Sequence, residues 1–166
     1  MTLKEALEEA LDYETRIADL YRVAAADSTA PEAKAFFDFL AADEGRHVAF
    51  IEAAIADAGK GLRPDASLVK NSLPSDIPAS VAKAKAAFRS SPDGGQLAAL
   101  ENALRAEVET SAFYRRLVAS LPESETAAFR KLQEIEDGHT AIVKAELDSV
   151  SGSGFWFDIR VFDMED

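Results

Sequence analysis

Both histidines of this sequence follow a glutamate by three positions, in Glu44-x-x-His47 and in Glu136-x-x-His139. Residues three apart on an α-helix lie on one face, about one turn apart along the axis. A carboxylate and an imidazole placed in this way can bind one metal ion together. The chemistry that these residues suggest first is therefore metal binding by two equivalent pairs of side chains.

Two further glutamates stand where a helix would otherwise place a core residue. Glu14 lies seven residues before Tyr21, and Glu107 lies seven residues before Tyr114. On facing helices, these glutamates and the two Glu-x-x-His pairs would supply four carboxylates and two imidazoles, the ligand set of di-iron and di-manganese helix bundles. We expect each tyrosine to hydrogen-bond a ligand carboxylate and orient it. The alternative is that both rings only fill the core.

The charge of such a cluster requires cations. Four carboxylates brought together away from water would repel one another and stay partly protonated. Two divalent cations would balance their charge. Carboxylates combined with imidazoles suit iron or manganese, and zinc can occupy the same ligands through its affinity. We therefore expect two iron ions as the cofactor, with Mn or Zn as possible occupants.

Four long stretches with helical periodicity are predicted to position these side chains. A long connection rich in Gly, Pro, Ser and Asp separates the second stretch from the third, and a short helix is predicted within it, over residues 80–89. Capping boxes are predicted at Thr2/Glu5, Thr29/Glu32 and Ser120/Glu123. The predicted helices cover about residues 2–25, 32–58, 96–120 and 124–150.

The two predicted helix pairs repeat one pattern. The first helix of each pair reads L-x2-A-L-x2-E-x6-Y-R, and the second reads F-x2-L-x3-E-x2-H-x3-(I/V). The predicted fold class is therefore all-α, a ferritin-like four-helix bundle of two duplicated hairpins joined by a long crossover. We assign residues 1–150 to the bundle. Residues 151–166 form a C-terminal tail that contains several aromatic residues, and we expect it to dock on a groove of the bundle or on a partner subunit.

The composition excludes several classes of protein. The 166 residues contain no cysteine, which rules out disulfides, iron–sulfur clusters and thiolate zinc sites. The net charge of −12 argues against nucleic acid as a partner. No apolar run reaches the ~20 residues of a membrane span, and the first residues lack the pattern of a secretory signal. We expect a cytoplasmic protein.

The doubled pattern of E-x6-Y followed by E-x2-H resembles the rubrerythrin branch of the ferritin-like superfamily, over about residues 3–147. The resemblance implies a four-helix bundle with a non-haem di-iron site. It also implies that Glu44 and Glu136 bridge the two ions, while Glu14 and Glu107 are terminal ligands. The full ligand set implied is Glu14, Glu44, His47, Glu107, Glu136 and His139.

Two departures from the rubrerythrin pattern affect the expected activity. Many rubrerythrins carry a rubredoxin-like domain whose iron is held by four cysteines, so a chain without cysteine requires a separate electron-donor protein. Rubrerythrins also carry an extra glutamate three residues after the ligand of the third helix, where this sequence has Thr110. Glu109 lies about 200° around the helix from Glu107 and cannot replace it. The remaining six ligands are closer to the set of bacterioferritin.

The resemblance implies an enzyme, a di-iron peroxidase or oxidase whose di-ferrous site reacts with hydrogen peroxide or dioxygen in defence against oxidative stress. A homodimer is the expected assembly for this branch. One alternative is a ferritin-like ferroxidase that oxidises and hands on iron. A second alternative is an interaction module in which a bound metal such as zinc has only a structural role.

Overall fold

The computed structural model describes residues 1–75, 77, 79 and 94–153, and its regular structure is helical. Within these residues there is no strand, which confirms the prediction of an all-α protein with four long helices. Short 3-10 turns lie at Ala66–Leu68 and Glu123–Glu125. In the same residues, no helix has both the length and the apolar character that crossing a membrane would require. The long helices are α1 Leu3–Asp27, α2 Pro31–Ala58, α3 Gly94–Ser120 and α4 Ala127–Ser153.

The four helices form a bundle in which a layer of buried polar side chains, including Glu14 and Glu107, lies between two hydrophobic clusters. Helix α1 packs along α2, α3 packs along α4, and α1 also contacts α3. One apolar cluster surrounds Tyr21, Phe37 and Leu100, and a second surrounds Leu7 and Phe129. Both clusters draw residues from all four helices, so burial of these apolar side chains holds the bundle together above and below the polar layer.

The N-terminal end of α1 is as predicted, whereas that of α2 is not. The Thr2 side chain accepts a hydrogen bond from the Glu5 backbone, and the Glu5 carboxylate accepts one from the Thr2 backbone. The predicted Thr29 cap is wrong, because the residue preceding α2 is Ala30 and it makes no side-chain cap. Pro31 begins α2 instead, and its lack of an N–H is harmless at the first helical position.

The boundaries of α4 also differ from the prediction. Ser120 ends α3 and donates its hydroxyl to the Leu117 carbonyl at 3.1 Å, so it does not cap α4. A 3-10 turn separates the helices, and α4 begins at Ala127. At its other end α4 continues to Ser153, because a glycine such as Gly152 costs a helix only about 1 kcal/mol and does not by itself stop it.

The connection between α2 and α3 packs against α4. Val69 is buried, and Lys131 of α4 donates to the Ala66 carbonyl at 3.3 Å. The side chains of Leu73 and Ile77 lie directly over Gly138, where a side chain would leave them no room. The predicted short helix over 80–89 and the aromatic tail after residue 153 lie outside the described residues.

Candidate metal centre

The predicted ligand side chains meet in the polar layer, midway along the bundle. Helices α1 and α3 each contribute one glutamate, and helices α2 and α4 each contribute a glutamate and a histidine one turn apart. All six residues are at most 1% exposed. They are Glu14 on α1, Glu44 and His47 on α2, Glu107 on α3, and Glu136 and His139 on α4.

These six side chains form two groups that could each hold one metal ion. In each group, one ligand atom per residue lies within 4.8 Å of the others. Two glutamates, Glu44 and Glu136, belong to both groups. Two adjacent metal positions that share two carboxylates are therefore geometrically possible. The groups are Glu14, Glu44, His47 and Glu136, and Glu44, Glu107, Glu136 and His139.

Both histidines turn the Nδ1 atom toward the carboxylates. His47 Nδ1 lies 3.1 Å from Glu44 Oε2 and 3.3 Å from both Glu14 Oε2 and Glu136 Oε1. His139 Nδ1 lies 2.7 Å from Glu44 Oε1 and 3.8 Å from Glu136 Oε1. The two rings stack with their centroids 5.7 Å apart. Nδ1 is thus the nitrogen that each imidazole would offer to a metal ion.

Among the inward ligand atoms of the described residues, Glu107 Oε2 and Glu136 Oε2 have no hydrogen-bond partner. Buried polar atoms are rarely left without a partner, because each costs about 1–3 kcal/mol. Two divalent cations would provide a partner for both of them and would neutralise the four carboxylates. The donor set therefore fits a pair of divalent metal ions.

The carboxylates compete for protons in the metal-free cluster. Burial raises the pKa of Glu14 well above its ordinary value, and the Glu136 charge adds to the effect. Burial likewise raises the pKa of Glu107 and of Glu136, and the Glu44 charge raises both further. Glu44 differs, because the charge of His139 and the hydrogen bonds from both imidazoles outweigh burial and lower its pKa.

The imidazoles take up protons for the same reason. Burial alone would lower the pKa of both rings. The Glu14 carboxylate outweighs burial at His47, and the Glu44 carboxylate outweighs it at His139, so both pKa values rise well above 6.5. Without metal, protons supply the positive charge of the cluster. Bound metal ions would displace them, which links metal binding to proton release.

The two tyrosines each hydrogen-bond a candidate ligand from the opposite helix pair. Tyr21 of α1 donates to Glu107 Oε1 of α3, and Tyr114 of α3 donates to Glu14 Oε1 of α1. Both rings are fully buried. Each phenol therefore orients a carboxylate as well as filling the core, and the exchange between pairs ties α1 to α3 at the level of the site.

One buried residue at this site, Asp43, was not predicted from the sequence. Asp43 Oδ2 lies 3.0 Å from His139 Nε2, on the outer side of the imidazole. Asp43 precedes Glu44 and so points about 100° away from it around α2, which removed it from the predicted face. A signal was available, because the equivalent position in α4 is the buried apolar Ile135 and an aspartate there breaks the repeat.

Four polar side chains near the site lie outside the ligand set, as predicted for Glu109 and Thr110. Glu109 is exposed, and the Thr110 hydroxyl is used in a bond to the Ala106 carbonyl at 3.0 Å. Arg22 pairs with Asp19 at the surface, and Arg115 lies at the rim of the bundle, where it contacts Asp137 at 2.5 Å. None of these side chains adds a ligand to the cluster.

Comparison of the chain with protein-family models, with curated proteins and with solved structures finds no match. The functional interpretation therefore rests on the side chains that the bundle brings together. Their types, burial and spacing define a candidate centre for two divalent metal ions.

Proposed function

We propose that this chain is a ferritin-like, di-iron oxidoreductase that resembles rubrerythrin and is built from two duplicated helix hairpins. Its di-ferrous site would react with hydrogen peroxide or dioxygen. The observation that carries the proposal is the pair of four-ligand groups that share Glu44 and Glu136. A separate electron-donor protein, a homodimer and a cytoplasmic location are parts of the same proposal and rest on the sequence alone.

The ligand set favours a redox centre over a structural one. Structural zinc sites bind a single ion, usually through four ligands rich in cysteine. Here four buried carboxylates and two imidazoles form two four-ligand groups, each of which could hold an ion, and the chain has no cysteine. Hard oxygen ligands with borderline nitrogen ligands suit iron and manganese. Two adjacent ions that share carboxylates can change their oxidation states together.

The chemistry that iron would supply is a pair of electrons. Two ferrous ions bound here would provide the two electrons that, with two protons, reduce hydrogen peroxide to two molecules of water. The residues of the chain bind and orient the ions and exclude bulk water. Tyr21 and Tyr114 hold the outer carboxylates in place, and the apolar clusters on either side close the site along the bundle axis.

A stopped-flow comparison tests this proposal. The protein is loaded anaerobically with two ferrous ions per chain and mixed with hydrogen peroxide or with dioxygen, and iron oxidation is recorded. We expect oxidation much faster than that of free ferrous iron; a faster reaction with peroxide would favour a peroxidase, and a faster reaction with dioxygen would favour an oxidase or ferroxidase. The Glu136→Ala variant is the control, since it lacks one shared ligand. Equal rates for the two proteins would contradict an oxidoreductase role.

A ferroxidase is the second candidate, and Thr110 is the observation that favours it. Its hydroxyl is bound to the Ala106 carbonyl, and the equivalent residue of α1 is the buried Ile17, so neither helix pair offers a further carboxylate at this position. The six-ligand set that remains resembles that of bacterioferritin. In the same experiment with excess ferrous iron, a ferroxidase would oxidise many more than two ions per chain with dioxygen and would do so without an electron donor.

A further inference from the structure

The two imidazoles of the site differ on their outer sides. His139 Nε2 is 3.0 Å from Asp43 Oδ2, and Asp43 is completely buried. His47 Nε2 is also buried and has no hydrogen-bond partner among the described residues. The residue equivalent to Asp43 in α4 is Ile135, which cannot accept a hydrogen bond. The candidate ligands thus follow the repeat, whereas Asp43 and Ile135, the equivalent residues outside the ligand set, do not.

Asp43 is itself held in place from a second direction. Its other carboxylate oxygen, Oδ1, accepts hydrogen bonds from Arg46 Nη2 at 2.7 Å and Nε at 3.2 Å. The same Nη2 atom of Arg46 also donates to the Ser72 hydroxyl in the connection between α2 and α3. The carboxylate therefore has a fixed orientation, with one oxygen on the arginine and one on the imidazole.

A carboxylate behind a ligand imidazole changes how that imidazole binds metal. By accepting the Nε2 proton, it fixes the tautomer whose Nδ1 lone pair faces the ion, and it makes the ring a more basic ligand. Within the part of the chain that the structure describes, His139 has this support and His47 does not. The ligand group that contains His139 also contains Glu107, which is oriented by Tyr21. The ligand group that contains His47 has the matching hydrogen bond from Tyr114 to Glu14. The tyrosines therefore do not distinguish the two groups.

We propose that Asp43 is a positioning residue that makes the two metal positions unequal. The ion held by Glu44, Glu107, Glu136 and His139 binds more tightly than the ion held by Glu14, Glu44, His47 and Glu136. The inference rests on the proposed two-metal site, but it requires neither iron nor any redox reaction. It can therefore be tested with zinc, which separates it from the question of activity.

The first test is nuclear magnetic resonance of the zinc-loaded protein labelled with 15N-histidine. Because the chain has two histidines, the spectrum contains one Nε2–H signal from each. We expect one signal shifted to lower field and exchanging slowly with water, and the other exchanging faster. In Asp43→Asn only the slow signal should move. Two signals with the same shift and exchange rate in the unchanged protein would overturn the proposal, even if the variant failed to fold.

The second test is a zinc titration of the metal-free protein. We expect two binding steps, of which Asp43→Asn weakens the tighter by about 10- to 100-fold and the other by less than about threefold. Ile135→Val is the matched control, since it alters packing at the equivalent position and should leave the ratio of the two affinities unchanged. Equal weakening of both steps by Asp43→Asn would overturn the proposal.

The two tests also distinguish this inference from the proposed function. Two zinc ions bound with equal affinity would contradict the role of Asp43 and leave the two-metal site intact. Failure to bind two ions at all would contradict the site itself. Two unequal ions with the predicted effect of Asp43→Asn would support the role of Asp43 whatever the reaction with oxidants proves to be.

Discussion

The two helix pairs supply matching ligands but different surroundings. Each pair contributes Glu, Glu and His at the same spacing, and each receives a tyrosine hydroxyl from the other pair. Behind the ligands the pairs diverge. Where α2 has Asp43 and Arg46, α4 has Ile135 and Gly138.

The divergence follows from the single connection between the pairs. A repeat of two hairpins has one crossover, so the crossover packs unequally on the two halves. On α4 it lies over Gly138, where Leu73 and Ile77 occupy the space that a side chain would need. On α2 the equivalent residue is Arg46, which reaches the crossover at Ser72. The two pairs thus match at the six candidate ligands and differ at the positions that face the crossover.

The largest expected effect comes from removing a ligand that both positions share. Glu44→Ala or Glu136→Ala should lose at least one of two bound ions, because each carboxylate belongs to both ligand groups. Metal content after dialysis against excess Mn²⁺ measures this. Glu101→Ala, an exposed glutamate on α3, is the control and should retain both ions. Full two-metal loading of either shared-ligand variant would contradict the ligand assignment.

Removing one tyrosine hydroxyl should weaken one metal position more than the other. Tyr21→Phe deprives Glu107 of its donor, and Tyr114→Phe deprives Glu14. Loss of such a group behind a ligand typically costs about 10- to 100-fold in metal affinity. Titration with Co²⁺ should show a different step weakened in each variant. The same step weakened in both would mean that the hydroxyls do not act through separate carboxylates.

The half around α3 can be made more like rubrerythrin by Thr110→Glu. This change places a carboxylate one turn after Glu107, at a position that is 2% exposed. We expect the rate of oxidation by peroxide, divided by that by dioxygen, to rise by about tenfold, or roughly 1.4 kcal/mol in relative barrier. Ile17→Glu, the equivalent change in α1, is the control. An unchanged ratio in stopped-flow oxidation would show that Thr110 does not set the preference.

The stability of the metal-free protein should decrease as the pH rises. Burial raises the pKa of Glu14, Glu107 and Glu136, and the carboxylates raise the pKa of both histidines. A group whose pKa is higher when folded stabilises the fold below its unfolded pKa, and this is lost as the pH rises through the folded value. The carboxylates start from 4.5 and the histidines from 6.5, so thermal midpoints should begin to fall above about pH 4.5 and should fall further above about pH 6.5. Saturating Mn²⁺ should abolish the fall; a metal-independent fall would contradict this explanation.

The smallest expected effect compares the two glycines on the histidine helices. Ala is favoured over Gly in a helix by about 1 kcal/mol, and a side chain at Gly45 meets only the tip of Arg22 at 3.9 Å. Gly45→Ala should therefore stabilise the protein. Gly138→Ala must displace the ends of the Leu73 and Ile77 side chains, so it should be less stable than Gly45→Ala by about 1 kcal/mol in urea unfolding. Equal stability would mean that the crossover does not press on α4.

The sequence predicted the features that depend on regular repetition. The spacing of Glu14, Glu44 and His47, and its repeat, predicted that all six side chains face inward, and the structure brings them together, because helical period determines which residues share a face. Helix ends were predicted less well, since Ala30 rather than Thr29 precedes α2 and makes no side-chain cap. Asp43 was missed because it contacts His139 of the other helix pair, and its one signal in the sequence is that it breaks the repeat at the position of Ile135.

The central claim is that two iron ions bind side by side and share Glu44 and Glu136. The most direct test is Mössbauer spectroscopy of the protein loaded anaerobically with two equivalents of ⁵⁷Fe²⁺, before and after one equivalent of hydrogen peroxide. The account predicts two high-spin ferrous ions that become a magnetically coupled, diamagnetic diferric pair. Isolated paramagnetic ferric ions, or iron that does not bind, would contradict it.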